Sequence, residues 1–143
     1  IMDVEEEKTK VQENIKEEDK PIILLVDDNE ELLSMLEDLF LPTYKVYIAH
    51  DGREGLEMAR QIQPDLIISD VMMPEMNGYE AAKAIRAMND RPDGKNIPII
   101  AMTANSFAED VQASLDAGMN AHLSKPIVID EVIKTILRYV HND

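Results

Sequence analysis

Asp65-Leu-Ile-Ile-Ser-Asp70-Val-Met-Met-Pro74 carries the clearest strand signal in this chain. Its apolar part is short enough for a β-strand and too short for a typical helix. The run ends on the carboxylate of Asp70, and a turn built from Pro74, Asn77 and Gly78 follows at once. A carboxylate at the end of a buried strand either caps the next segment or is a reactive group held at the edge of a sheet.

Four other short apolar runs also predict strands, and they lie at Ile22–Val26, Lys45–Ala49, Ile97–Met102 and Asn120–Ser124. Between and after the strands, apolar residues recur at helical spacing. This spacing predicts five helices, over residues 30–41, 51–62, 77–88, 106–118 and 130–140. Mostly apolar strands that alternate with helices predict an α/β fold with an open, five-stranded parallel sheet and helices on both faces. Right-handed crossovers restrict the topology to the doubly wound class.

Polar residues before the helices predict their starts. Capping boxes are expected where Asp51 precedes Glu54, Asn77 precedes Glu80 and Ser106 precedes Glu109, and Asp130 is expected to cap the last helix. In the turn after Asp70, we expect position 78 to require glycine because of the backbone angles that the chain adopts there.

The bulk composition limits the classes of function. The 143 residues suit one domain, and the absence of cysteine excludes disulfides and thiolate metal sites and fits a reducing compartment. A net charge of −15 repels nucleic acid, so direct DNA binding is not expected. No apolar run approaches the ~20 residues of a membrane span, and there is no signal-peptide pattern, so we expect no membrane contact and a cytoplasmic location.

Residues 1–20 form an acidic leader, with eight acidic and four basic side chains, and the rest of the chain, residues 21–143, forms the predicted domain. Ile1, Val4, Val11 and Ile15 fall on heptad positions. One interpretation is a solvated helix or a linker. The other is the end of a coiled coil that joins the domain to an upstream module, and the start on Ile1 favours a fragment of a longer protein.

Polar side chains lie at the carboxyl ends of four of the predicted strands. Asp27 and Asp28 follow the first strand, Asp70 ends the third, Thr103 follows the fourth and Lys125 follows the fifth. In doubly wound sheets, ligands bind beyond these carboxyl ends. Three nearby carboxylates repel one another, and a divalent cation that prefers oxygen ligands, such as Mg²⁺, would offset this repulsion. With a hydroxyl and an ammonium beside them, they suit an anionic phosphoryl group. Asp70 would be the nucleophile that forms an acyl phosphate.

Residues 22–140 resemble the receiver domain of two-component response regulators. The resemblance rests on Asp27-Asp28, on Asp70-Val-Met-Met-Pro-Glu-Met-Asn-Gly78, on Thr103-Ala104 and on Lys125-Pro126. It implies a flavodoxin-like sheet with strand order 2-1-3-4-5. It also implies that Asp70 accepts a phosphoryl group from a phosphohistidine, carried by a histidine kinase or a histidine phosphotransfer domain, in a Mg²⁺-dependent reaction that Mn²⁺ could also support.

The same resemblance implies further roles for individual residues. Asp28, Asp70 and the backbone carbonyl of Met72 would bind the metal directly, and Asp27 would act through water. Thr103 and Lys125 would contact the phosphoryl oxygens. The bond before Pro126 would be cis. Side chains at Met72 and Asn105 would set the lifetime of the phosphoryl group, and since Met72 cannot position water, a long lifetime is expected.

One position departs from the pattern. His122 occupies the place in the fifth strand where the family carries Tyr or Phe as the partner of the switch residue Thr103. An imidazole is smaller and can titrate near neutral pH, so the switch could be pH-sensitive. The alternative is a tolerated polar residue on a surface that meets a partner.

Phosphorylation is expected to switch the surface formed by the fourth helix, fifth strand and fifth helix. The sequence from Gly118 to Pro126 resembles that of receivers in hybrid sensor histidine kinases, so we expect the domain to belong to such a kinase. A stand-alone or DNA-binding response regulator is the alternative. A homodimer could form through the same surface or through the leader. Two other classes of function fit this sequence less well. A haloacid dehalogenase-type phosphatase needs a second Asp at the position of Met72, which counts against that class. A mononucleotide binder needs a phosphate-binding loop at the position of Asp27 and Asp28, which counts against that one.

Overall fold

The computed structural model of the protein describes residues 19–73, 75–88, 92–104 and 108–140. Five strands form one sheet: β1 (Ile22–Val26), β2 (Lys45–Ala49), β3 (Leu66–Asp70), β4 (Ile99–Thr103) and β5 (Ala121–Ser124). Every neighbouring pair is parallel, and the strand order is β2-β1-β3-β4-β5. The predicted doubly wound sheet, with its strand order, is confirmed.

In the described part of the chain four helices connect the strands and a fifth follows β5: α1 (Glu30–Phe40), α2 (Gly52–Ile62), α3 (Gly78–Arg86), α4 (Ala108–Asp116) and α5 (Ile129–Tyr139). A 3₁₀ turn, Pro92–Lys95, precedes β4. None of the helices in the described ranges is long and apolar enough to cross a membrane. The leader up to residue 18 and its heptad pattern lie outside the described residues.

The sheet separates two cores because side chains alternate across each strand. Leu24 and Ile67 pack with α2 and α3 on one face, whereas Leu25 and Ile68 pack with α1 and α5 on the other. β3 and β4 are buried along their whole length. This double burial explains why their sequences are continuous apolar runs rather than alternating ones.

The helix starts only partly follow the predicted caps. The Asn77–Glu80 capping box is present in full. Asp51 accepts the N–H of Glu54 at 2.8 Å, but the Glu54 carboxylate accepts the N–H of His50 at 3.2 Å rather than that of Asp51. The cap predicted at Ser106 lies outside the described residues.

The cap predicted at Asp130 is wrong. The N-cap of α5 is Val128, which makes no side-chain cap hydrogen bond, and Asp130 lies within the first turn. A carboxylate there can still interact favourably with the positive end of the helix dipole.

Gly78 is required for a reason other than the one predicted. Among the described glycines only Gly118 has a positive φ, of 95°. The residue of left-handed conformation in the loop before α3 is Glu75, with a φ of 66°. A Cβ on Gly78 would collide with the carbonyl oxygen of Asp70. The glycine therefore allows the first turn of α3 to approach the end of β3.

Arg86, at the end of α3, ties three separate segments together. Its Nε and Nη2 donate to the carbonyl oxygen of Gly118 at 3.0 and 2.8 Å. Nη1 donates to the carbonyl of Gly94 at 2.9 Å, and Nη2 also donates to the Asn120 side chain at 2.9 Å. The fork of a guanidinium suits several acceptors at once. The end of α3 is thereby held to the 3₁₀ turn and to the start of β5.

Replacing Arg86 with methionine is expected to lower the free energy of unfolding by about 3 kcal/mol, because it leaves several partly buried oxygens without a donor. Lysine, a single-point cation, should recover only part of the loss. Urea denaturation measures both effects. The control is Arg60→Met on the exposed side of α2, which should cost less than about 1 kcal/mol. Equal costs at the two positions would contradict the role given to Arg86.

Candidate functional site

Parallel strands bring the predicted groups to one edge of the sheet. Asp27 follows β1, Asp70 ends β3, Thr103 ends β4 and Lys125 follows β5. The backbone N–H of Lys125 donates to the carbonyl of Thr103 at 2.8 Å, so the last two positions are joined directly. This edge is where doubly wound folds bind ligands.

Three carboxylates form a cluster at this edge. Oxygen atoms of Asp27, Asp28 and Asp70 all lie within 4.8 Å of one another. Asp27 is fully buried and Asp70 is 6% exposed, whereas Asp28 faces solvent. A cation can therefore approach the cluster from the side of Asp28.

Lys125 supplies the positive charge next to the cluster. Its Nζ donates to Asp27 Oδ2 at 3.1 Å and lies 3.4 Å from Asp70 Oδ1. The ammonium thus bridges the two more buried carboxylates. The Lys125–Pro126 peptide bond is cis.

Asn29 completes the support of Asp27, a role that the residue pattern did not indicate. Its backbone N–H donates to Asp27 Oδ1 at 2.9 Å, so both oxygens of this buried carboxylate have donors. The Asn29 side chain in turn caps α1 by accepting the N–H of Leu32 at 3.2 Å. The start of α1 and the position of Asp27 are therefore coupled. The Asp-x-Asn spacing is the only sequence signal for this turn.

The electrostatics of the site follow from burial and proximity. Burial, and then the charge of Asp27, raise the pKa of Asp70, and Lys125 only partly offsets them. For Lys125, burial alone would lower the pKa. The hydrogen bond to Asp27 and the charges of Asp70 and Asp27 outweigh burial, so the pKa of Lys125 is raised.

The donor set suits a hard divalent cation. It consists of carboxylate oxygens, and three carboxylates with one ammonium leave a net charge of −2 when all are ionised. Mg²⁺ prefers oxygen ligands and binds with a small number of carboxylates while keeping several waters. The chemistry of the residues therefore fits a magnesium ion.

The other predicted residues differ in their exposure and in the part of the fold that carries them. Thr103 is 6% exposed at the end of β4, and the Met72 side chain, two residues past Asp70, is 76% exposed. His122 lies on β5 opposite Ala101 and is half-buried. Its neighbours Ala121 and Leu123 pack on the α1–α5 face, so alternation directs His122 to the other face. Asn105 lies outside the described residues.

Two relatives illustrate what the sequence is similar to. It is 37% identical over 126 residues to hybrid signal transduction histidine kinase D of Dictyostelium discoideum, an alignment that covers 88% of this chain and 8% of that protein. It is 34% identical over 119 residues to the polar-differentiation response regulator DivK of Brucella anthropi, covering 82% of this chain and 94% of that protein. The chain thus spans a small part of one relative and nearly all of the other.

Three solved structures resemble the fold. CheY4, a chemotaxis protein of Vibrio cholerae, matches with a TM-score of 0.78 and 34% identity, over 85% of this chain and 99% of that one. The receiver domain of a sensor histidine kinase of Pseudomonas aeruginosa, solved with a magnesium ion in its active-site cleft, matches with a TM-score of 0.75 and 34% identity, over 84% and 97%. The Ssk1 receiver domain of Saccharomyces cerevisiae, solved with the phosphotransfer protein Ypd1, matches with a TM-score of 0.77 and 26% identity, over 84% and 88%.

The family model agrees with these likenesses and with the residues of the site. The model of the response regulator receiver domain matches residues 23–137, which include the acidic cluster, Lys125 and the five described strands except for Ile22, the first residue of β1. The chain therefore belongs to the response regulator receiver domain family.

Proposed function

We propose that the Asp70 carboxylate accepts a phosphoryl group from a phosphohistidine of a histidine kinase or a histidine phosphotransfer domain. The observation that carries the proposal is the position of Asp70, nearly buried among two other carboxylates with the Lys125 ammonium 3.4 Å from its Oδ1. The Ssk1 receiver, solved with a phosphotransfer protein, supports this class of partner.

In the transfer, an oxygen of Asp70 forms a bond to phosphorus as the phosphorus–nitrogen bond to the imidazole breaks. The electron pair of that bond leaves with the imidazole nitrogen, which takes up a proton. Lys125 neutralises charge on the phosphoryl oxygens, and the Thr103 hydroxyl donates a hydrogen bond to one of them. Such transfers depend on positioning and charge neutralisation, so no general base is needed.

Asp28, Asp70 and the backbone carbonyl of Met72 would hold the cation directly, and Asp27 would act through water. Bound Mg²⁺ would neutralise charge on the phosphoryl group, and Mn²⁺ is expected to replace it. The buried position of Asp27 and the exposed position of Asp28 support this division of roles. The magnesium-bound receiver domain of Pseudomonas aeruginosa supports the choice of metal.

The switch would begin at Thr103. Its hydroxyl moves toward the phosphoryl group, His122 on β5 fills the space that it leaves, and the surface of α4, β5 and α5 changes. Phosphorylation would then shift an existing equilibrium between two forms of that surface. The place of Thr103 and His122 on adjacent strands supports the assignment.

The direct test is incubation of the protein with acetyl phosphate and Mg²⁺. An acid-stable, hydroxylamine-labile phosphoryl adduct is expected, and it should be absent when EDTA removes the cation. Reduction with borohydride followed by peptide mass spectrometry should place the adduct on residue 70. A stable protein that forms no adduct, or an adduct that maps to another residue, would exclude the proposal.

The exposed side chain of Met72 allows a test of phosphoryl lifetime. A thioether cannot orient an attacking water, whereas an asparagine can donate and accept hydrogen bonds. One such bond is worth about 0.5–1.5 kcal/mol, so Met72→Asn is expected to shorten the half-life of the phosphoryl group roughly 2- to 12-fold. The measurement follows loss of the adduct after removal of acetyl phosphate. Equal half-lives in the two proteins would refute this role of Met72.

The setting of the domain is part of the same proposal. We assign residues 21–143 to the receiver domain and residues 1–20 to a leader that joins it to the rest of a hybrid sensor histidine kinase. The Dictyostelium relative supports this setting, and the DivK relative supports a stand-alone regulator as the alternative. In either setting the phosphohistidine is made from ATP, so the domain would work in the cytoplasm.

A further inference from the structure

The Met72 side chain is the most exposed large apolar side chain in the described ranges. It is 76% exposed, whereas the next in order, Leu137, is 54% exposed. Among the methionines that the structure describes, Met35 follows at 41%, and the others are half-buried or buried. Exposure governs how readily an oxidant reaches a sulfur atom. Met72 is therefore the methionine in this part of the chain that a dissolved oxidant reaches most easily.

The residues around Met72 fix its place at the surface. Val71 and Met73, on either side, are 2% and 8% exposed and pack in the core beneath α2 and α3. The backbone N–H of Val71 donates to the carbonyl of Met102 at 3.1 Å, and the carbonyl of Val71 accepts the N–H of Gly78 at 2.9 Å. The exposure of Met72 therefore follows from an anchored backbone and not from a free chain end.

Met72 also lies next to the proposed phosphoryl acceptor. It follows Asp70 by two residues, and two residues span at most about 7 Å between Cα atoms. The methionine side chain is unbranched and rotates about three bonds, so its sulfur can come beside water that approaches Asp70. A chemical change at this sulfur therefore changes the surroundings of the water that would attack a phosphoryl group on Asp70.

Oxidation by hydrogen peroxide changes the hydrogen bonding of a methionine side chain. A thioether is a weak acceptor, whereas a sulfoxide carries a polar oxygen that accepts hydrogen bonds. In the reaction the O–O bond breaks and an S–O bond forms, so that the sulfur loses two electrons, the peroxide gains them and water is released. Because peroxide is uncharged, the carboxylates at this edge of the sheet do not repel it. Methionine sulfoxide reductases reverse the change.

We propose that Met72 is a site of reversible oxidation by peroxide, and that its sulfoxide oxygen orients the water that removes the phosphoryl group from Asp70. This inference rests on the proposed phosphorylation of Asp70. The reduced side chain leaves the attacking water without a partner, so the phosphoryl group persists. The oxidised side chain accepts a hydrogen bond from that water, so the phosphoryl group is lost sooner. Peroxide thereby ends the phosphorylated state without any change in the phosphodonor.

Peptide mass spectrometry after limited treatment with hydrogen peroxide tests the site of oxidation. The chain has no cysteine to consume the oxidant. Met72 should gain one oxygen atom at roughly twice the rate of Met35 or faster, in line with their exposed fractions of 76% and 41%. The fully buried Met102 should stay reduced. Oxidation of Met35 ahead of Met72 would overturn the proposal, and this measurement needs no phosphorylation.

The half-life of the adduct formed with acetyl phosphate and Mg²⁺, before and after peroxide treatment, tests the consequence. The oxidised protein should lose its phosphoryl group roughly 2- to 12-fold faster, the factor that one hydrogen bond supplies. A methionine sulfoxide reductase should restore the original half-life. Met72→Gln, whose amide oxygen replaces that of the sulfoxide, should have a shorter half-life than the untreated wild type without any peroxide. Peroxide should not change the half-life of Met72→Leu, whereas Met35→Leu should respond to it as the wild type does.

The outcomes separate this inference from the proposal on which it rests. A protein that is oxidised at Met72 but keeps its half-life would overturn the inference alone. A Met72→Leu variant whose half-life still responds to peroxide would do the same, because another side chain would then be responsible. A protein that forms no adduct with acetyl phosphate would overturn the proposed function and this inference together.

Discussion

Asp70→Asn is expected to reduce phosphorylation by acetyl phosphate to background and, at the same time, to raise the free energy of unfolding by about 1 kcal/mol. Asparagine has no anionic oxygen to attack phosphorus, so the first effect is complete. The gain in stability arises because Asp70 is nearly buried and lies beside Asp27. Burial, followed by the charge of Asp27, raises the pKa of Asp70. Removing the charge of residue 70 relieves both costs.

The gain in stability should depend on pH in a defined direction. Because the pKa of Asp70 is raised in the folded state, the folded protein binds its proton more tightly than the unfolded chain does. The stability of the wild type therefore falls as pH rises from the ordinary carboxyl pKa, about 4, through the raised value. The variant lacks this dependence. Its advantage should be small in acid and largest near neutral pH without Mg²⁺.

Urea denaturation at several pH values, with and without Mg²⁺, measures the difference. Mg²⁺ should shrink it, since the ion stabilises the wild-type cluster more than that of the variant. Asp38→Asn, on the exposed side of α1, is the matched control and should change neither stability nor phosphorylation. A variant that is less stable than the wild type at neutral pH would contradict the account of Asp70, whatever its phosphorylation.

Lys125→Met is expected to lower the free energy of unfolding by about 3 kcal/mol, because it leaves the buried Asp27 without its charged donor. Phosphorylation by acetyl phosphate should fall by about 10²-fold, the loss typical when one donor to a developing charge is removed. The raised pKa of Lys125 means that the wild type keeps this interaction until strongly alkaline pH. The two losses therefore have one origin, the ammonium between Asp27 and Asp70.

Added Mg²⁺ should restore part of the stability of Lys125→Met, because a divalent cation can replace the missing charge, but it should not restore the rate. Denaturation and adduct formation are measured in parallel, with Lys83→Met on the exposed side of α3 as the control. A loss of rate with unchanged stability would show that Asp27 does not need Lys125 as its partner.

The strands and the place of the site could be predicted because they rest on local signals, whereas the strand order was implied by the resemblance to receiver domains. Each buried strand is an apolar run that ends on a polar group or is followed by one, and parallel strands bring their ends together. The positions of the strand ends therefore predict Asp27, Asp28, Asp70, Thr103 and Lys125 as candidates, and the structure places these residues at one edge of the sheet.

The missed features depend on contacts between distant segments. Arg86 resembles a solvated cation at a helix end, and its acceptors are largely main-chain carbonyls, which leave no mark in a sequence. Gly78 is needed because of the distance between two backbones, not because of its own angles. The N-cap of α5, Val128, makes no side-chain hydrogen bond, so no local capping signal marks the start of this helix.

The ion pair between Lys125 and Asp27 joins residues 98 positions apart, and this separation has a consequence for synthesis on the ribosome. Both buried carboxylates are translated before Lys125, which follows Asp70 by 55 positions. At ordinary translation speeds the interval is roughly 3–11 s. During that time Asp27 and Asp70 lack the positive charge of Lys125, so a nascent chain cannot assemble the complete site before the residue that follows β5 has emerged.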